Sequence, residues 1–563
     1  MNHLSRLKGK LKISPVNISL ILFFLFVFIN WLYLSGISPL APPDYYYYYS
    51  VSENIFSLGP DISWVPPFFP FLLSVFGNFL SVFVEKTDFF IIAGKLISFL
   101  ASSGIVYFVY KLFKKIIGEF SGPATLLLVI SPFYLKYISL PITDILFLFL
   151  IISTFYFLFE GNQNFSLFLS TLALLTRYEA IILVIPVILH AYRAKIKTLK
   201  VIIVLTFIIL SSITAYLLFS ERITNKIIFI FSNGSFLYFI SNPVKLASLF
   251  YVNILFFIPG DIPVVIKIFL FLMIFGFFVY GYIILFKKNK EFTLGLLFFQ
   301  VVFIISKGYI SGIGQVFNAV SQTRRMLPIV FIFWFVLIAG VFSFFKGIKY
   351  RFPVKLNLAV KLFILSFVLI IGFVNLQEIK KIPIFLVLPF IFLVFITLYI
   401  SGFQQKRRAV EFIVLALLFI TIYSKSLNDS YNYIVSVPNK GAYMIAKWTN
   451  ANLDENDKLV CYSTKNTVGY YLEKQIRLVH IKFKDKTIYK NFEVLRKKLW
   501  EKLKKNRIRY LAFDYYMNPI DRPFEGVIKK MLDMYKKRED LFKVKKHLFY
   551  KGRVIAIIME AKY

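Results

Sequence analysis

The sequence predicts a polytopic α-helical membrane protein with a small α/β domain at its C-terminal end. Of its 563 residues, 58% are hydrophobic and 19% are aromatic, which is more apolar surface than a soluble domain can bury. Apolar runs of about 17–20 residues, the length of a membrane-spanning helix, recur along most of the chain. The runs do not alternate with a period of two, so we expect spanning helices and no barrel.

The net charge of +37 has an explanation that does not involve nucleic acid. Lys and Arg cluster between the apolar runs, as they do in cytoplasmic loops, where anionic lipid headgroups are their partners. The single cysteine, Cys461, rules out an intrachain disulfide. The basic segment 1–18 leads into an apolar run without a cleavage site, so we expect a retained anchor and a cytoplasmic N-terminus.

We predict about thirteen spans within residues 19–425. An outer loop, 37–88, follows the first span, and its apolar part 68–84 is expected to lie flat along the membrane. A crossing there would put the lysine cluster after residue 110 on the outer side. The predicted spans are 19–36, 91–110, 121–138, 143–159, two half-length helices within 165–190, 200–219, 263–286, 291–307, 327–346, 359–375, 383–401 and 409–425. The segments 220–262 and 308–326 are predicted outer loops.

The composition changes near residue 426, and residues 426–563 are predicted to form an extracytoplasmic α/β domain. The segments 440–451 and 493–505 have helical periodicity. Short β-rich segments at 458–462, 509–513 and 554–559 predict strands. The domain has neither a GxGxxG motif nor a P-loop, so we expect no bound nucleotide.

The outer loop 37–88 carries the first candidate catalytic residue, Asp44. A carboxylate that is ionised at pH 7 is suited to take a proton from an acceptor hydroxyl. The alternatives are a solvated loop residue or a helix cap. Glu53 lies nine residues further on and would face the opposite side of a continuous helix, so it is expected to position or solvate. An interfacial aromatic belt explains most of the tyrosine run 45–49, although a hydroxyl near Asp44 is also suited to bind sugar.

Asp144 and Arg177 are the second and third candidates. Asp144 follows an outer turn, where an ionisable residue at the membrane boundary indicates function. The alternative is an N-cap, assisted by Thr143, for the following helix. Arg177 lies at the predicted bend of 165–190 with Tyr178 and Glu179, inside an apolar run where an unpaired charge is costly. Glu179 would lie on another helix face, so a local ion pair is not assured.

Arg324 and Arg325 are expected at the outer end of the span 327–346. Guanidinium groups match phosphate oxygens, and a lipid phosphate is the natural target there. The alternative is snorkelling to the interface. The four histidines are widely scattered, without metal-ligand spacing. We therefore predict no cofactor and no metal site, and leave a divalent cation open.

Several short motifs occur in a characteristic order along the first 345 residues. They are D-x₃-Y-x₄-E (Asp44, Tyr48, Glu53), P-P-F-F-P (66–70), S-P-F-Y (131–134) with T-D (143–144), L-L-T-R-Y-E (174–179) and R-R-M-L-P (324–328). This order resembles the GT-C glycosyltransferases of the protein O-mannosyltransferase and aminoarabinose-transferase type. The α/β domain fits the same layout.

The resemblance implies a GT-C-like transmembrane domain, 19–425, in which 37–88 is the catalytic outer loop. It implies a polyprenyl-phosphate-linked sugar as donor, used with inversion on the outer face, and a lipid, glycan or protein acceptor. Asp44 is then the catalytic base, and Arg177, Arg324 and Arg325 are candidates for phosphate contacts. The remaining substrate-binding candidates are Tyr48, Glu53, Asp144 and Tyr178.

The sequence departs from that family at two places. The aminoarabinose type has a lysine beside its P-P, where this chain has Val65, so that phosphate contact is missing or moved. The W-W-D-x-G motif of oligosaccharyltransferases is absent, which argues against N-glycan transfer to protein.

Two readings without transferase activity are open. A transporter or flippase of lipid-linked sugars typically shows internal repeats and broken spans at matching places. This chain shows no two-half symmetry, and a large outer domain favours a transferase. A membrane scaffold with a binding head would leave the outer carboxylates and arginines unexplained.

Overall fold

A computed structural model describes most of the helices and the C-terminal sheet. The described residues are 15–37, 41–42, 45–53, 55, 66–83, 86–183, 186–187, 264–311, 327–351, 383–398, 409–436, 440–454, 457–462, 468, 471–472, 476–479, 500–514, 542–550 and 553–561. The predicted spans 200–219 and 359–375, the predicted loop 220–262 and most of the predicted loop 308–326 lie outside them. The count of thirteen spans therefore stays a prediction. The prediction of a loop was wrong for residues 308–311, which continue the helix Lys290–Ser311.

Long apolar helices make up most of the described part before residue 436. In chain order they are α1 (Pro15–Ile37), α2 (Tyr45–Glu53), α3 (Phe68–Leu80), α4 (Lys86–Ile117), α5 (Ser121–Val129), α6 (Pro132–Leu135), α7 (Thr143–Phe159), α8 (Gln163–Thr176), α9 (Val264–Lys288), α10 (Lys290–Ser311), α11 (Leu327–Arg351), α12 (Ile384–Leu398) and α13 (Ala409–Ser436). Within the described ranges, four segments are long and apolar enough to cross a membrane: Ile18–Ile37, Phe89–Val129, Phe271–Lys288 and Leu327–Phe344.

Most of the predicted helices that fall on described residues are confirmed, and α7 has the bounds predicted for the span 143–159. The prediction of one continuous span over 121–138 was wrong. Ser131 adopts an extended conformation, with φ −64° and ψ 148°, and Pro132 begins a new short helix, α6. The residue before a proline disfavours the helical conformation and proline has no N–H to donate, so the helix ends there.

The predicted break within 165–190 is confirmed. The helix α8 ends at Thr176, and Arg177 is extended, with φ −152° and ψ 127°. A short 3-10 helix, Tyr178–Ala180, follows. A run of about 26 apolar residues is long for a single span, and the charge at Arg177 marks the place where the helix breaks.

The helices α9 and α11 are in backbone contact through glycine. A Cβ atom built at Gly340 would overlap the carbonyl oxygen of Phe277, and one at Gly281 would overlap the carbonyl oxygen of Val336. Glycine is the residue that lets two membrane helices approach this closely. The ring of Phe278 stacks on Phe333 beside this contact, with the centroids 4.4 Å apart.

The chain divides into two compact units. The first consists of Met1–Ile37, Asn54–Leu72 and Gly94–Ile434, and the second of Ser38–Glu53, Leu73–Ala93 and Val435–Tyr563. The second unit thus joins α2 to the C-terminal part of the chain. The domain boundaries predicted from composition, at residues 18 and 425, stay predictions.

The second unit contains a mixed five-stranded sheet. Its strands are β1 (Lys458–Tyr462), β2 (Arg477–Val479), β3 (Tyr510–Asp514), β4 (Phe542–Tyr550) and β5 (Arg553–Ala561). Their order is β2-β1-β3-β5-β4; β1 is parallel to β2 and β3, and β5 is antiparallel to β3 and β4. The helix α14 (Lys440–Asn452) packs on this sheet through a shared apolar core that includes Ile445, Trp448 and Ile558. The predicted strands on β1, β3 and β5 and the predicted helix α14 are confirmed.

Candidate functional site

The predicted site residues are described to different extents. Asp44, Arg324 and Arg325 lie outside the described residues, so their roles stay predictions. Tyr178 begins the 3-10 helix after α8. The side chains of Tyr48, Glu53, Asp144 and Arg177 are described. They form two groups, one in each compact unit.

In the first unit, Arg177 lies between two carboxylates. Its Nη1 donates a hydrogen bond of 2.5 Å to Oδ1 of Asp144, which is 33 residues earlier in the chain. Its Nη2 and Nε donate to the two carboxylate oxygens of Glu179, at 3.3 and 3.5 Å. The exposed fractions of the three side chains are 2% for Asp144, 19% for Arg177 and 28% for Glu179. The arginine charge is thus paired on both sides, as burial in an apolar environment requires.

Local backbone structure explains how these three residues meet. Asp144 is in the first turn of α7, where the helix dipole stabilises a negative charge. The alternative that Asp144 caps this helix is wrong, because Ile142 occupies the N-cap position. Arg177 pairs with Glu179 because Arg177 is extended and not helical, which changes the directions in which the two side chains leave the backbone.

The guanidinium of Arg177 also lies over the ring of Phe147, 5.5 Å from its centroid. Asp144 and Phe147 are three residues apart on α7 and therefore share a helix face. The arrangement holds one cation and two anions in contact, with a net charge of −1. Such a group is suited to orient the hydroxyls of a sugar. A phosphate contact from Arg177 stays a prediction.

A polar face of α4 holds the turn that precedes Asp144. The hydroxyl of Ser98 donates to the backbone oxygen of Leu140 at 2.6 Å. One turn further along α4, the backbone oxygen of Ser102 accepts a 2.9 Å hydrogen bond from the hydroxyl of Tyr134. These contacts fix the short segment between α6 and α7, and so the position at which Asp144 enters its helix.

The same face of α4 binds the end of α1. The ammonium of Lys95 donates to the backbone oxygen of Ser35 at 2.9 Å. In return, the indole of Trp31 donates to the backbone oxygen of Lys95, also at 2.9 Å. A cation near the C-terminus of a helix satisfies carbonyls that have no partner within that helix. Lys95 was not among the predicted site residues, although a lysine within an apolar helix, here 8% exposed, often marks a structural or functional contact.

In the second unit, Glu53 ends α2 and accepts a hydrogen bond from the hydroxyl of Tyr49. Burial of Tyr49, together with this hydrogen bond, raises the pKa of its phenol above the usual value, so Tyr49 stays protonated as a donor. The ring of Tyr49 packs edge-on against Phe90, with the centroids 4.9 Å apart. Tyr48 is half-buried on the same helix.

The expectation that the tyrosine run is mostly an interfacial belt was wrong for its first two members. Tyr45 and Tyr46 are 0% and 1% exposed. Tyr46 packs inside the second unit, where its hydroxyl lies 2.9 Å from the hydroxyl of Tyr471. A sequence of adjacent tyrosines does not reveal this burial, because the partner residue is 425 positions away. Among the described residues, no group of three His, Cys, Asp or Glu side chains is arranged to hold a metal ion.

No protein-family model and no curated protein sequence matches the chain. ArnT from Cupriavidus metallidurans in the apo state aligns with a TM-score of 0.54 and 15% identity, over 96% of this chain and 97% of that chain. The chain has a GT-C fold. The structure of the same ArnT bound to undecaprenyl phosphate aligns with a TM-score of 0.54 and 13% identity, with the same coverage.

The resemblance to the GT-C proteins inferred from the motifs is thereby confirmed at the level of the fold. An oligosaccharyltransferase from Archaeoglobus fulgidus aligns more loosely, with a TM-score of 0.44 and 13% identity, over 94% of this chain and 74% of that chain. At 15% and 13% identity, the likeness to ArnT establishes the fold alone.

Proposed function

We propose that this protein is a membrane glycosyltransferase that moves a sugar from a polyprenyl-phosphate donor to an acceptor on the extracytoplasmic face. The main support is the alignment with ArnT, which extends over 96% of the chain, together with the order of the short motifs. The ArnT structure bound to undecaprenyl phosphate supports a polyprenyl phosphate as the carrier of the sugar. The acceptor class is a lipid, a glycan or a protein.

In the proposed reaction Asp44 is the general base. The oxygen of an acceptor hydroxyl attacks the anomeric carbon of the donor sugar, and Asp44 takes the proton of that hydroxyl. The bond between the anomeric carbon and the phosphate oxygen breaks, and polyprenyl phosphate leaves with the bonding electrons. Attack opposite to the leaving group inverts the anomeric configuration. Arg324 and Arg325 are the proposed phosphate contacts, because guanidinium groups match phosphate oxygens in geometry and charge.

The group formed by Asp144, Arg177 and Glu179 has a proposed role in binding substrate. Asp144 is held at the start of α7 by Arg177, and the three residues together are the proposed contact for the hydroxyls of a sugar. Tyr48 and Tyr178 are proposed to contribute further hydroxyl contacts. Glu53, which accepts from Tyr49, is proposed to support the loop and not to take part in proton transfer.

The proposed topology places the N-terminus in the cytoplasm and residues 426–563 outside. The distribution of basic loops between the predicted spans supports it. The helix α3 has 13 residues, too few to cross the hydrocarbon core, which needs about 20. Large apolar side chains on one side of this helix are exposed: Phe71, Val75 and Phe79. A helix of this kind is suited to lie in the interface.

The decisive experiment is sugar transfer by Asp44→Asn in purified membranes supplied with a panel of polyprenyl-phosphate sugars. General base catalysis contributes about 10²- to 10⁴-fold, so we expect turnover to fall by at least about 10²-fold while expression and insertion are normal. The matched control is Asp61→Asn, which changes another aspartate of the same predicted outer loop. Turnover within tenfold of the native protein would remove Asp44 from the mechanism.

The same assay separates a transferase from the flippase alternative. A transferase breaks the bond between sugar and phosphate, so the sugar appears in a new product and free polyprenyl phosphate accumulates in equal amount. A flippase moves the donor between leaflets and leaves that bond intact. Movement of donor across the membrane without cleavage, for every donor in the panel, would support the flippase.

A further inference from the structure

Basic side chains from several strands of the second unit meet at one end of its sheet. Lys458 is the first residue of β1, and Arg509 directly precedes β3. In the sheet, Tyr510 at the start of β3 is paired with Leu459 of β1 and with Glu560 of β5. The register of the strands therefore brings the starts of β1 and β3 and the end of β5 to the same end of the sheet.

Side-chain contacts join this end of the sheet into one surface. The ammonium of Lys458 donates to the backbone oxygen of Asn506 at 3.0 Å, in the turn that leads into β3. The Nε of Arg509 donates to Oε1 of Glu560 at 2.7 Å. The ammonium of Lys545, on β4, lies 3.4 Å from Oε2 of the same carboxylate. The side chains of Arg509 and Lys545 are 61% and 46% exposed, so both charges remain accessible to a ligand.

Arg507, in the same turn, has a backbone conformation that an arginine seldom adopts. Its φ is +52°, a positive value that only glycines share in the described part of the chain. The turn closes the helical segment 500–505. The N–H of Ile508 donates to the oxygen of Leu503 at 3.0 Å, and the N–H of Arg507 donates to the oxygen of Lys504 at 3.2 Å. This is a Schellman motif, in which glycine is the usual residue at the position of Arg507 because a side chain there is strained.

We call the four basic residues at this end of the sheet the basic row: Lys458, Arg507, Arg509 and Lys545. Two carboxylates lie beside the row. Glu560 shares its single charge between Arg509 and Lys545. Asp457 acts on Arg509 electrostatically, and its carboxylate accepts the backbone N–H of Asp454 at 3.0 Å. The four cations outnumber the two carboxylates, so this surface attracts anions.

The length of the basic row indicates the kind of anion that it fits. The strands β1 and β4 are separated by β3 and β5, so the strands that carry Lys458 and Lys545 are about 14 Å apart. One phosphate or carboxylate group contacts only neighbouring cations across that distance. A chain molecule with several anionic groups can contact the whole row, and guanidinium groups match carboxylates and phosphates in geometry.

We propose that the basic row docks an acidic glycan and that this glycan is the acceptor of the transfer. The inference rests on the proposed function, because it names the chemical class of the acceptor. A protein partner fits less well, because the core of a protein interface is apolar and no large hydrophobic residue is exposed among the described residues 435–563. The strain at Arg507 fits a binding role, because strained residues are retained at functional sites at some cost to stability.

The test measures binding of the full-length protein in lipid nanodiscs to polygalacturonate, a carboxylate-bearing glycan, and to dextran, a neutral one. The native protein should bind polygalacturonate and not dextran, and added salt should weaken the binding. Arg507→Gly removes one charged contact, so we expect binding to weaken about tenfold. The same substitution relieves the strained conformation, so the midpoint of thermal unfolding should not fall. Arg507→Lys keeps the charge and should bind within about threefold of the native protein.

The matched control is Lys447→Gln, which removes one positive charge from an exposed lysine of α14 in the same unit. It should leave the affinity within about twofold of the native value. Weaker binding of Arg507→Gly without loss of stability supports the proposal. Native affinity in Arg507→Gly, or an equal loss in Lys447→Gln, overturns it. Polyglutamate bound as tightly as polygalacturonate also overturns it, and would indicate an acidic protein as the partner.

Sugar transfer by the native protein, measured in parallel with acidic and neutral glycan acceptors, separates this inference from the proposed function. Transfer that prefers acidic acceptors supports both. Transfer to neutral acceptors without preference for acidic ones overturns the inference and leaves the proposed function standing. Binding of polygalacturonate without transfer from any polyprenyl-phosphate donor to any acceptor overturns the proposed function.

Discussion

Removal of Arg177 should destabilise the protein more than removal of its partner Asp144. In Arg177→Gln, Asp144 remains as a carboxylate that is 2% exposed and has lost the cation that its Oδ1 contacts. In Asp144→Asn, Arg177 keeps its two hydrogen bonds to Glu179 and is more exposed. The pair is therefore asymmetric, and the two substitutions test which member depends on the other.

The magnitudes follow from burial. Leaving a buried charge without its partner costs about 3–5 kcal/mol, which is the expectation for Arg177→Gln. Loss of one hydrogen bond to a charged group costs about 1.5–3 kcal/mol, which is the expectation for Asp144→Asn. A control is the ion pair between Lys115 and Glu160, whose side chains are 44% and 27% exposed. Glu160→Gln should cost less than about 1 kcal/mol, because water screens exposed pairs.

Thermal unfolding of the purified protein in one detergent at pH 7 would rank these variants. We expect the order of stability to be native and Glu160→Gln, then Asp144→Asn, then Arg177→Gln. The double variant, with both Asp144→Asn and Arg177→Gln, should be more stable than Arg177→Gln alone, because the buried negative charge that lost its cation is removed as well. Two results would refute this expectation. One is an equal midpoint of thermal unfolding for Arg177→Gln and Glu160→Gln, and the other is a loss of stability in the double variant that equals the sum of the losses in the two single variants.

Two further predictions concern stability elsewhere in the chain. Gly340→Ala should lower the free energy of unfolding by about 1–3 kcal/mol, because the new Cβ atom would lie well inside 3.0 Å of the backbone oxygen of Phe277. Gly276→Ala should raise it by up to about 1 kcal/mol, because a Cβ atom at Gly276 would have no atom within 4 Å. Equal unfolding midpoints for the two variants would contradict this. At Glu560, burial raises the pKa of the carboxyl group, but the hydrogen bond and charge of Arg509 outweigh burial and hold the pKa below its usual value. The native protein should therefore be more stable than Glu560→Gln at pH 7, and this difference in stability should shrink as pH falls below 4.5. An advantage that grows with acid would show that the pairing is not the cause.

The apolar runs carried most of the information about the helices. The span 143–159 was predictable because it has no internal proline or charge after its first turn, and the break near Arg177 because the run around it is too long for one span. Pro132, which follows Ser131, also indicated the break between α5 and α6. The strongly apolar residues on both sides nevertheless favoured the prediction of one continuous helix. The strand β4 was missed because its Lys residues, on an edge of the sheet, obscure the β pattern.

The candidate site was less predictable than the fold, for a physical reason. Asp144 and Arg177 were recognised one by one, from their position at boundaries of apolar runs. Their contact was not, because it joins residues 33 positions apart and depends on an extended residue that helical geometry does not anticipate. The burial of Tyr46 depends in the same way on a residue far along the chain. Composition predicts where charges lie, and pairing requires the tertiary structure.

The separation between Tyr46 and Tyr471 has a consequence for biosynthesis. A ribosome adds about 5–20 residues per second, so Tyr471 emerges roughly 20 to 85 s after Tyr46, given the 425 residues between them. During that interval α2 lacks the contact that the hydroxyl of Tyr471 makes with Tyr46 in the folded chain. The second compact unit, which contains both tyrosines, is therefore complete only when synthesis is nearly finished. A chain that stalls before residue 471 would lack the contact between the two hydroxyls.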